Sequence, residues 1–310
     1  MSKSAISWTD VTWNPTTGCT RVKGGECDHC YAFDLHDHRY AANLKNAREA
    51  HYTSTTAARV HHIKAPFGIQ YDRPFSEVQL LEGRLIDPMS WRDPSMVFVD
   101  SMADLYHKDV PMEYIARVYA TMMLAKRHTF QILTKRPGRR EEILADPEFY
   151  LEVRREIRRL SSHKHKATGT AAREWLFTHE DPVGTDYPFL RWGNVWEGTS
   201  AGQQATWDLR VPALIRTPAA VRFVSIEPML DAVDIRVLAQ DNPGALGWII
   251  VGGESGDHFR GMNPGWAEQV QSHCRELSIA YFYKQHSGPK PGRPAPAGWE
   301  HIDVKEFPIA

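Results

Sequence analysis

The chain has 310 residues, of which 42% are hydrophobic and 24% are charged, an ordinary composition for a globular protein with a buried core. This length suits one large α/β domain, or a domain with an insertion. The net charge of −1 is too small for overall electrostatic attraction to draw the chain to nucleic acid or to a membrane surface. No apolar run approaches the roughly 18 residues of a transmembrane helix, and the N-terminus lacks a signal-peptide core, so a cytoplasmic protein without membrane contact is predicted.

Short apolar runs rich in β-branched and aromatic residues alternate along the chain with longer amphipathic segments. The runs predict strands near residues 11–14, 96–100, 128–133, 193–197, 221–226, 246–251 and 279–283. The segments between them predict helices near residues 111–127, 139–160, 205–215 and 264–277. Strand–helix alternation of this kind indicates a parallel sheet, either a (β/α) barrel or a doubly wound sheet.

Polar residues at the strand ends favour the barrel. Nearly every predicted strand is followed at once by side chains of chemical interest, among them Asp100, Lys135, Glu197, Glu227 and Glu254. A ring of functional groups at the carboxyl ends of many strands is typical of barrels, whereas an open sheet concentrates them at one point. We therefore predict an α/β fold, a partial or full (β/α) TIM-type barrel that forms a single domain over residues 1–310.

Two regions interrupt the alternation. Residues 31–95 contain no strong strand signal and are helix-permissive in part, which predicts a helical and loop cap. Residues 161–190 are polar and contain two prolines and two glycines between two predicted strands. They are predicted to form an inserted loop over the strand ends, where long loops usually serve a function.

The cysteines are unevenly placed. Cys19, Cys27 and Cys30 lie in a glycine-rich N-terminal loop with the arrangement C-x7-C-x2-C, while Cys274 is alone on a predicted helix, where a buried core thiol is the simplest interpretation. In a reducing cytosol, clustered thiols indicate metal binding before disulfides. Thiolates are soft ligands for iron–sulfur clusters and zinc, and three of them leave one metal position open to an exogenous ligand.

Two alternatives to a cluster stay open at this point. The cysteines are unrelated, or they hold a structural zinc ion whose fourth ligand is His29, His36 or His38. The zinc alternative predicts a non-catalytic nucleic-acid-binding protein. The near-neutral charge stands against it, since such proteins usually carry a basic face.

An early three-cysteine loop that opens a (β/α) barrel resembles the radical S-adenosylmethionine (SAM) superfamily, although the commonest spacing there has three residues in the first gap and this chain has seven. A closer resemblance covers nearly the whole chain. Its motifs are ISWTDVTWNPTTGC at 6–19, FVDSMADL at 98–105, LTKR at 133–136, SIEP at 225–228, VGGES at 251–255 and YKQ at 283–285. They are similar to those of a phage and bacterial family, usually labelled only as a phage protein, whose genes often neighbour a three-Cys-motif partner protein.

The resemblance implies an enzyme with two cofactors. A [4Fe–4S] cluster would be held by Cys19, Cys27 and Cys30, and SAM would bind its open iron through amino and carboxylate groups. The reduced cluster would cleave SAM to a 5′-deoxyadenosyl radical that abstracts hydrogen from substrate. The implied partners are an external electron donor of the flavodoxin or ferredoxin type and the three-Cys-motif partner protein. The predicted substrate is a nucleotide or a base in nucleic acid.

The resemblance also implies which side chains hold SAM. Ser101 and Asp104 would meet the α-amino group, Lys135 or Arg136 the carboxylate, and Glu197 and Ser200 the ribose, with His29 and Tyr31 beside the last cysteine completing the cofactor-binding set. An alternative role for Lys135 is to bind a phosphate group of the substrate. Each Ser or Asp has the ordinary alternative of a capping or turn role.

Two glutamates are candidate catalytic residues. Glu227 and Glu254 follow neighbouring predicted strands and are expected to face each other across substrate as an acid/base pair or as binding groups. The alternative is structural ion pairing with Arg222 or Lys284. The Gly-Gly-Glu sequence ending at Glu254 resembles the superfamily's amino-binding motif, but it follows a much later strand than that motif does.

Overall fold

A computed structural model describes residues 4–53, 68–179 and 193–309. Its strands are β1 (Val11–Trp13), β2 (Thr16–Thr17), β3 (Gln79–Leu80), β4 (Met96–Val99), β5 (Thr129–Thr134), β6 (Val195–Ser200), β7 (Val221–Ile226), β8 (Trp248–Gly252) and β9 (Ala280–Gln285). Its α-helices are α1 (Tyr31–Thr53), α2 (Met112–Leu124), α3 (Pro137–Ala145), α4 (Pro147–Leu160), α5 (Lys166–Thr178), α6 (Gln204–Arg216), α7 (Arg236–Asp241) and α8 (Pro264–Leu277). None of these helices is long and apolar enough to cross a membrane.

Within the described residues, seven strands form one parallel sheet in the order β1-β4-β5-β6-β7-β8-β9. The sheet curls into a half-barrel with helices around it, so the prediction of a partial TIM-type barrel is confirmed. Strands β2 and β3 pair separately and antiparallel. Because every strand of the large sheet runs in the same direction, all the segments that follow the strands meet at one rim.

The two faces of the half-barrel bury different side chains. Alternate residues of each strand point to the convex face and pack beneath the helices, as Val97, Ile132 and Ile249 do. The concave face is lined by large aromatic and aliphatic side chains, namely Trp8, Phe98, Trp196, Phe223, Trp248, Ile250 and Phe282. Trp8 precedes β1, and its ring centroid lies 4.7 Å from that of Phe98 and 6.3 Å from that of Trp248. These aromatic rings fill the part of the concave face that lies away from the carboxyl ends of the strands. Polar residues lie at the carboxyl-end rim.

The helix predicted over residues 139–160 is wrong as a single element, because two helices occupy this stretch. Helix α3 ends at Ala145 and α4 begins at Pro147. Proline lacks the N–H of a helix interior and clashes with the preceding turn, yet it is well placed in the first turn of a new helix. Asp146 caps that new helix, since its side chain accepts a hydrogen bond from the Glu148 N–H at 2.9 Å.

The loop predicted for residues 161–190 is wrong for 166–178, which form α5. Ala172 and Trp175 on α5 are fully buried in the convex-face core, next to α2 and α4. A helix of this length is marginal in isolation, so the stability of α5 comes from this packing. Residues 180–190 of the same prediction lie outside the described residues. The cap predicted for 31–95 contains α1 and β3, while its residues 54–67 also lie outside them.

Candidate metal centre

The three-cysteine loop begins where the chain leaves β2. Gly18 has a φ of +92°, and a Cβ there would lie 2.5 Å from the Glu77 carbonyl oxygen, so only glycine fits. The Gly18 N–H donates to the Met102 carbonyl at 3.2 Å, and the Cys19 N–H donates to the Phe75 carbonyl at 2.8 Å. These contacts fix Cys19 beside the segment that follows β4, at the carboxyl-end rim of the half-barrel.

Three arginines hold the rest of the loop to that rim. Each comes from a different part of the chain and donates a hydrogen bond from Nη2 to a loop carbonyl, Arg136 to Thr20 at 2.8 Å, Arg210 to Lys23 at 3.0 Å and Arg260 to Gly25 at 2.9 Å. We call them the clamping arginines. A guanidinium has five donors in a rigid fork, so it can bind a carbonyl and a carboxylate together.

Each clamping arginine also pairs with a carboxylate that is almost completely buried. The pairs are Arg136 Nη1–Asp104 Oδ2 at 2.8 Å, Arg210 Nη1–Glu26 Oε1 at 3.1 Å and Arg260 Nη2–Glu254 Oε1 at 2.6 Å. A buried charge needs a partner, and here each partner is the group that also ties down the loop. Sequence reasoning missed Arg210 and Arg260, because neither belongs to a local pattern that distinguishes it from other arginines.

The three cysteines are half-buried and free of disulfides. Burial raises the pKa of the Cys19 thiol to about 11, Asp104 adds to this effect, and Arg136 opposes it. A thiolate at Cys27 would raise the same pKa, which makes the two sulfurs electrostatic neighbours. Metal-free Cys19 is therefore protonated near neutral pH, and a bound metal has to displace that proton.

The donor set of the loop suits an iron–sulfur cluster, since three thiolates are the ligands that such clusters use. Among residues 4–53, 68–179 and 193–309, no group of three or more His, Cys, Asp and Glu side chains surrounds a position for a single metal ion. The ligands of a [4Fe–4S] cluster lie on different irons, so they do not converge on one point. Cys19, Cys27 and Cys30 are the residues that would hold it.

The predicted amino-binding residues are engaged within the protein. Asp104 accepts hydrogen bonds from Thr134 Oγ1 at 2.7 Å and from the Lys135 N–H at 3.2 Å, in addition to its pair with Arg136. Ser101 Oγ donates to Asn14 Oδ1 at 3.2 Å. The Asp104 carboxylate thus holds the segment after β5 in place.

Tyr31 and His29 lie on either side of Cys30, and each contacts a strand-end segment. The Tyr31 hydroxyl donates to the Ser101 carbonyl at 2.7 Å. His29 Nδ1 lies 3.1 Å from Glu254 Oε2. Together they link the last cysteine of the loop to the segments that follow β4 and β8.

Glu197 does not lie at the predicted ribose site. Its carboxylate is fully buried on the convex side of β6, 3.4 Å from Arg140 Nη1, and it accepts hydrogen bonds from the hydroxyls of Tyr106 and Tyr119. Burial raises the pKa of the Glu197 carboxyl against the opposing effect of Arg140. Side chains alternate along a strand, so Glu197 points away from the face that holds Trp196 and Ser200.

Glu254 holds the cysteine loop in place through ion pairs and hydrogen bonds and is not available as a general acid. It receives hydrogen bonds from Nε and Nη2 of Arg260 at 2.9 and 2.6 Å and from the Arg260 N–H at 2.8 Å, besides its contact with His29. Burial works to raise the pKa of the Glu254 carboxyl, but the hydrogen bonds from Arg260 and His29 outweigh it and hold that pKa below its ordinary value. Glu254 is thus ionised and tied to the cysteine loop.

Glu227 lies at the concave rim in an ion pair. Its Oε1 is 2.9 Å from Lys284 Nζ, and its Oε2 accepts a hydrogen bond from Ser225 Oγ at 3.0 Å. The carboxylate lies against Gly252, where an added Cβ would be 2.5 Å from Oε1. Of the two expected alternatives for Glu227, the structure has the ion pair with Lys284, and that pair lies at the concave rim of the sheet.

Four basic residues follow β5 at positions 135, 136, 139 and 140, and the side chains of three of them form hydrogen bonds within the protein. Arg139 donates to the Val110 carbonyl at 2.7 Å, Arg140 to the Gly198 carbonyl at 2.8 Å, and Arg136 is a clamping arginine. The Lys135 ammonium forms no hydrogen bond or ion pair with any residue that the structure describes. Lys135 is therefore the member of this run that is available to an anionic ligand.

Asp100 joins the start of the cysteine loop to β4. It adopts a φ of +58° directly after the strand, and its buried carboxyl accepts hydrogen bonds from Thr16 N at 3.0 Å and Thr16 Oγ1 at 2.8 Å. Burial raises the pKa of the Asp100 carboxyl to about 7, against the hydrogen bonds from Thr16.

We expect this raised pKa to make the free energy of unfolding fall as pH rises. Between about pH 4 and about pH 7 the Asp100 carboxyl ionises in the unfolded chain but stays protonated in the folded one, which costs at most about 4 kcal/mol over that window. Asp100→Asn cannot titrate, so its stability relative to the wild type should improve across the same range. Urea denaturation of both proteins at about pH 5 and about pH 8 measures this, and parallel pH dependences would contradict it.

Comparison with known proteins assigns the chain to a family but does not indicate an activity. No curated protein and no solved structure matches the chain. A family model described as "Protein of unknown function (DUF5131)" matches residues 3–294, which is nearly the whole chain. The chain, with its half-barrel and its clamped cysteine loop, therefore belongs to the DUF5131 family.

Proposed function

We propose that this protein is a radical SAM enzyme whose [4Fe–4S] cluster is held by Cys19, Cys27 and Cys30. The observation that carries the proposal is the position of the three-cysteine loop across the carboxyl-end rim of a parallel half-barrel. That rim is where barrel enzymes assemble their active sites. Three cysteine ligands leave one position open for SAM, which a closed four-ligand site would not do.

The chain's own residues would prepare the site. When bound, the cluster supplies the electron for reductive cleavage of SAM, which yields the 5′-deoxyadenosyl radical for hydrogen abstraction. The clamping arginines hold the cysteine loop against the rim, so the thiols need little ordering before they bind iron. The aromatic side chains of the concave face close the half-barrel beneath the site and exclude water from it.

Side chains on the concave side of the rim are the candidates for contact with SAM and substrate. Lys135 is a cation with no partner among the described residues, and it suits the carboxylate of SAM or a phosphate of substrate. Ser200, Glu227 and Lys284 lie on the concave side at the ends of β6, β7 and β9, where Glu227 and Lys284 form an ion pair. We propose a nucleotide or a nucleic-acid base as the substrate class and a flavodoxin or ferredoxin as the electron donor, with a three-Cys-motif partner protein as a further partner.

The test is product analysis after anaerobic reconstitution. Reduction with dithionite in the presence of SAM should release 5′-deoxyadenosine and methionine, slowly even without substrate, and omission of the reductant should stop the release. A brown protein with iron and sulfide is expected. A colourless zinc protein, or one that forms only S-adenosylhomocysteine, would refute the proposal.

A further inference from the structure

Arg136 differs from the other clamping arginines in one contact. Its Nη1 lies 3.6 Å from Cys19 Sγ with hydrogen-bond geometry, a separation that reflects the large radius of sulfur. Within the described residues, neither Arg210 nor Arg260 forms a hydrogen bond to a cysteine sulfur. Arg136 therefore contacts one of the residues that would hold the cluster, whereas the other two contact only the backbone and carboxylates of the loop and rim.

The Arg136 guanidinium is fixed in this position from two sides. Nη1 also donates to Asp104 Oδ2 at 2.8 Å, and Nη2 donates to the Thr20 carbonyl at 2.8 Å. Asp104 is itself held by Thr134. The Arg136 side chain is only 16% exposed, so water screens its charge weakly. With its donors directed at the loop and at Asp104, Arg136 is poorly placed to reach the carboxylate of SAM.

We infer that Arg136 is a positioning residue that donates a charge-assisted hydrogen bond to the Cys19 thiolate and sets the reduction potential of the cluster. The inference rests on the proposed function. Reduction adds negative charge that is shared with the thiolate sulfurs, so a cationic donor at one sulfur stabilises the reduced state more than the oxidised state. The hydrogen bond therefore raises the potential, and its loss lowers it.

Anaerobic redox titration monitored by electron paramagnetic resonance tests this. Arg136→Gln should shift the equilibrium toward the oxidised cluster about tenfold, which is about 59 mV for a one-electron couple. Arg136→Lys keeps the charge but not the fork, and its potential should lie between those of the wild type and Arg136→Gln. The affinity for SAM should be unchanged in both variants.

Arg260→Gln is the matched control. Arg260 also binds a loop carbonyl and a buried carboxylate but does not contact a sulfur, so Arg260→Gln should shift the potential less than Arg136→Gln does. A wild-type potential in Arg136→Gln at normal iron content would overturn the inference and leave the proposed function standing. If Arg136→Gln does not retain iron, Arg136→Lys decides, and a wild-type potential there overturns the inference. Absence of a cluster in the wild-type protein would instead refute the proposed function.

Discussion

Replacement of Cys19, Cys27 and Cys30 together by alanine is expected to abolish iron binding. The wild-type protein, reconstituted anaerobically, should hold about four irons and show thiolate-to-iron charge-transfer absorption. The triple variant loses every thiolate of the loop, and no other soft ligand lies in residues 18–30, so both signals should fall to background. Iron and sulfide analysis with a visible absorption spectrum measures the result.

Cys274→Ala is the control for that experiment. Cys274 is 1% exposed on α8, within the convex-face core, and burial raises the pKa of its thiol well above the ordinary value. It is an inert core thiol, so its replacement should leave iron content and absorption unchanged. An equal loss of iron in Cys274→Ala would make it a fourth ligand, which would close the site and end the proposed mechanism.

The fold could be predicted because the apolar runs of the sequence form the strands and the amphipathic segments form the helices. Strand β7 has the predicted bounds, and helix α8 does as well. The errors come from tertiary packing. Helix α5 is buried through Ala172 and Trp175, but the polar, proline-containing stretch around it predicts a loop, because the helical spacing of its apolar residues is short.

The site could be predicted where it depends on spacing and not where it depends on register. The cysteines form a local motif, so they could be found from sequence alone. The predicted strand ends at Glu197 and so predicts that this residue lies at the rim, but β6 continues to Ser200 and places Glu197 beneath the helices. The pair of Arg210 and Glu26 could not be predicted, since these residues are 184 positions apart in the chain.

The pair of Glu26 and Arg210 is the most deeply buried part of the clamp. The Glu26 side chain is 0% exposed and that of Arg210 is 4% exposed. Glu26 Oε1 also accepts the Gly202 N–H at 3.2 Å, and Arg210 Nη1 also donates to the Ser200 carbonyl at 2.8 Å. Removal of one member leaves the other charge buried without compensation, which is far more costly than the loss of an exposed pair.

Glu26→Gln is therefore expected to lower the free energy of unfolding by about 3–5 kcal/mol, because the Arg210 guanidinium stays buried while its counter-charge is lost. Urea denaturation of the iron-free protein measures the loss. Arg155→Gln removes exposed ion pairs with Glu148 and Glu152, in which Arg155 is 56% exposed, and should cost far less. The double variant Glu26→Leu with Arg210→Met should lose less than the sum of its single changes, since it leaves no unpaired charge. A loss in Glu26→Gln no larger than that in Arg155→Gln would show that the loop does not depend on this pair.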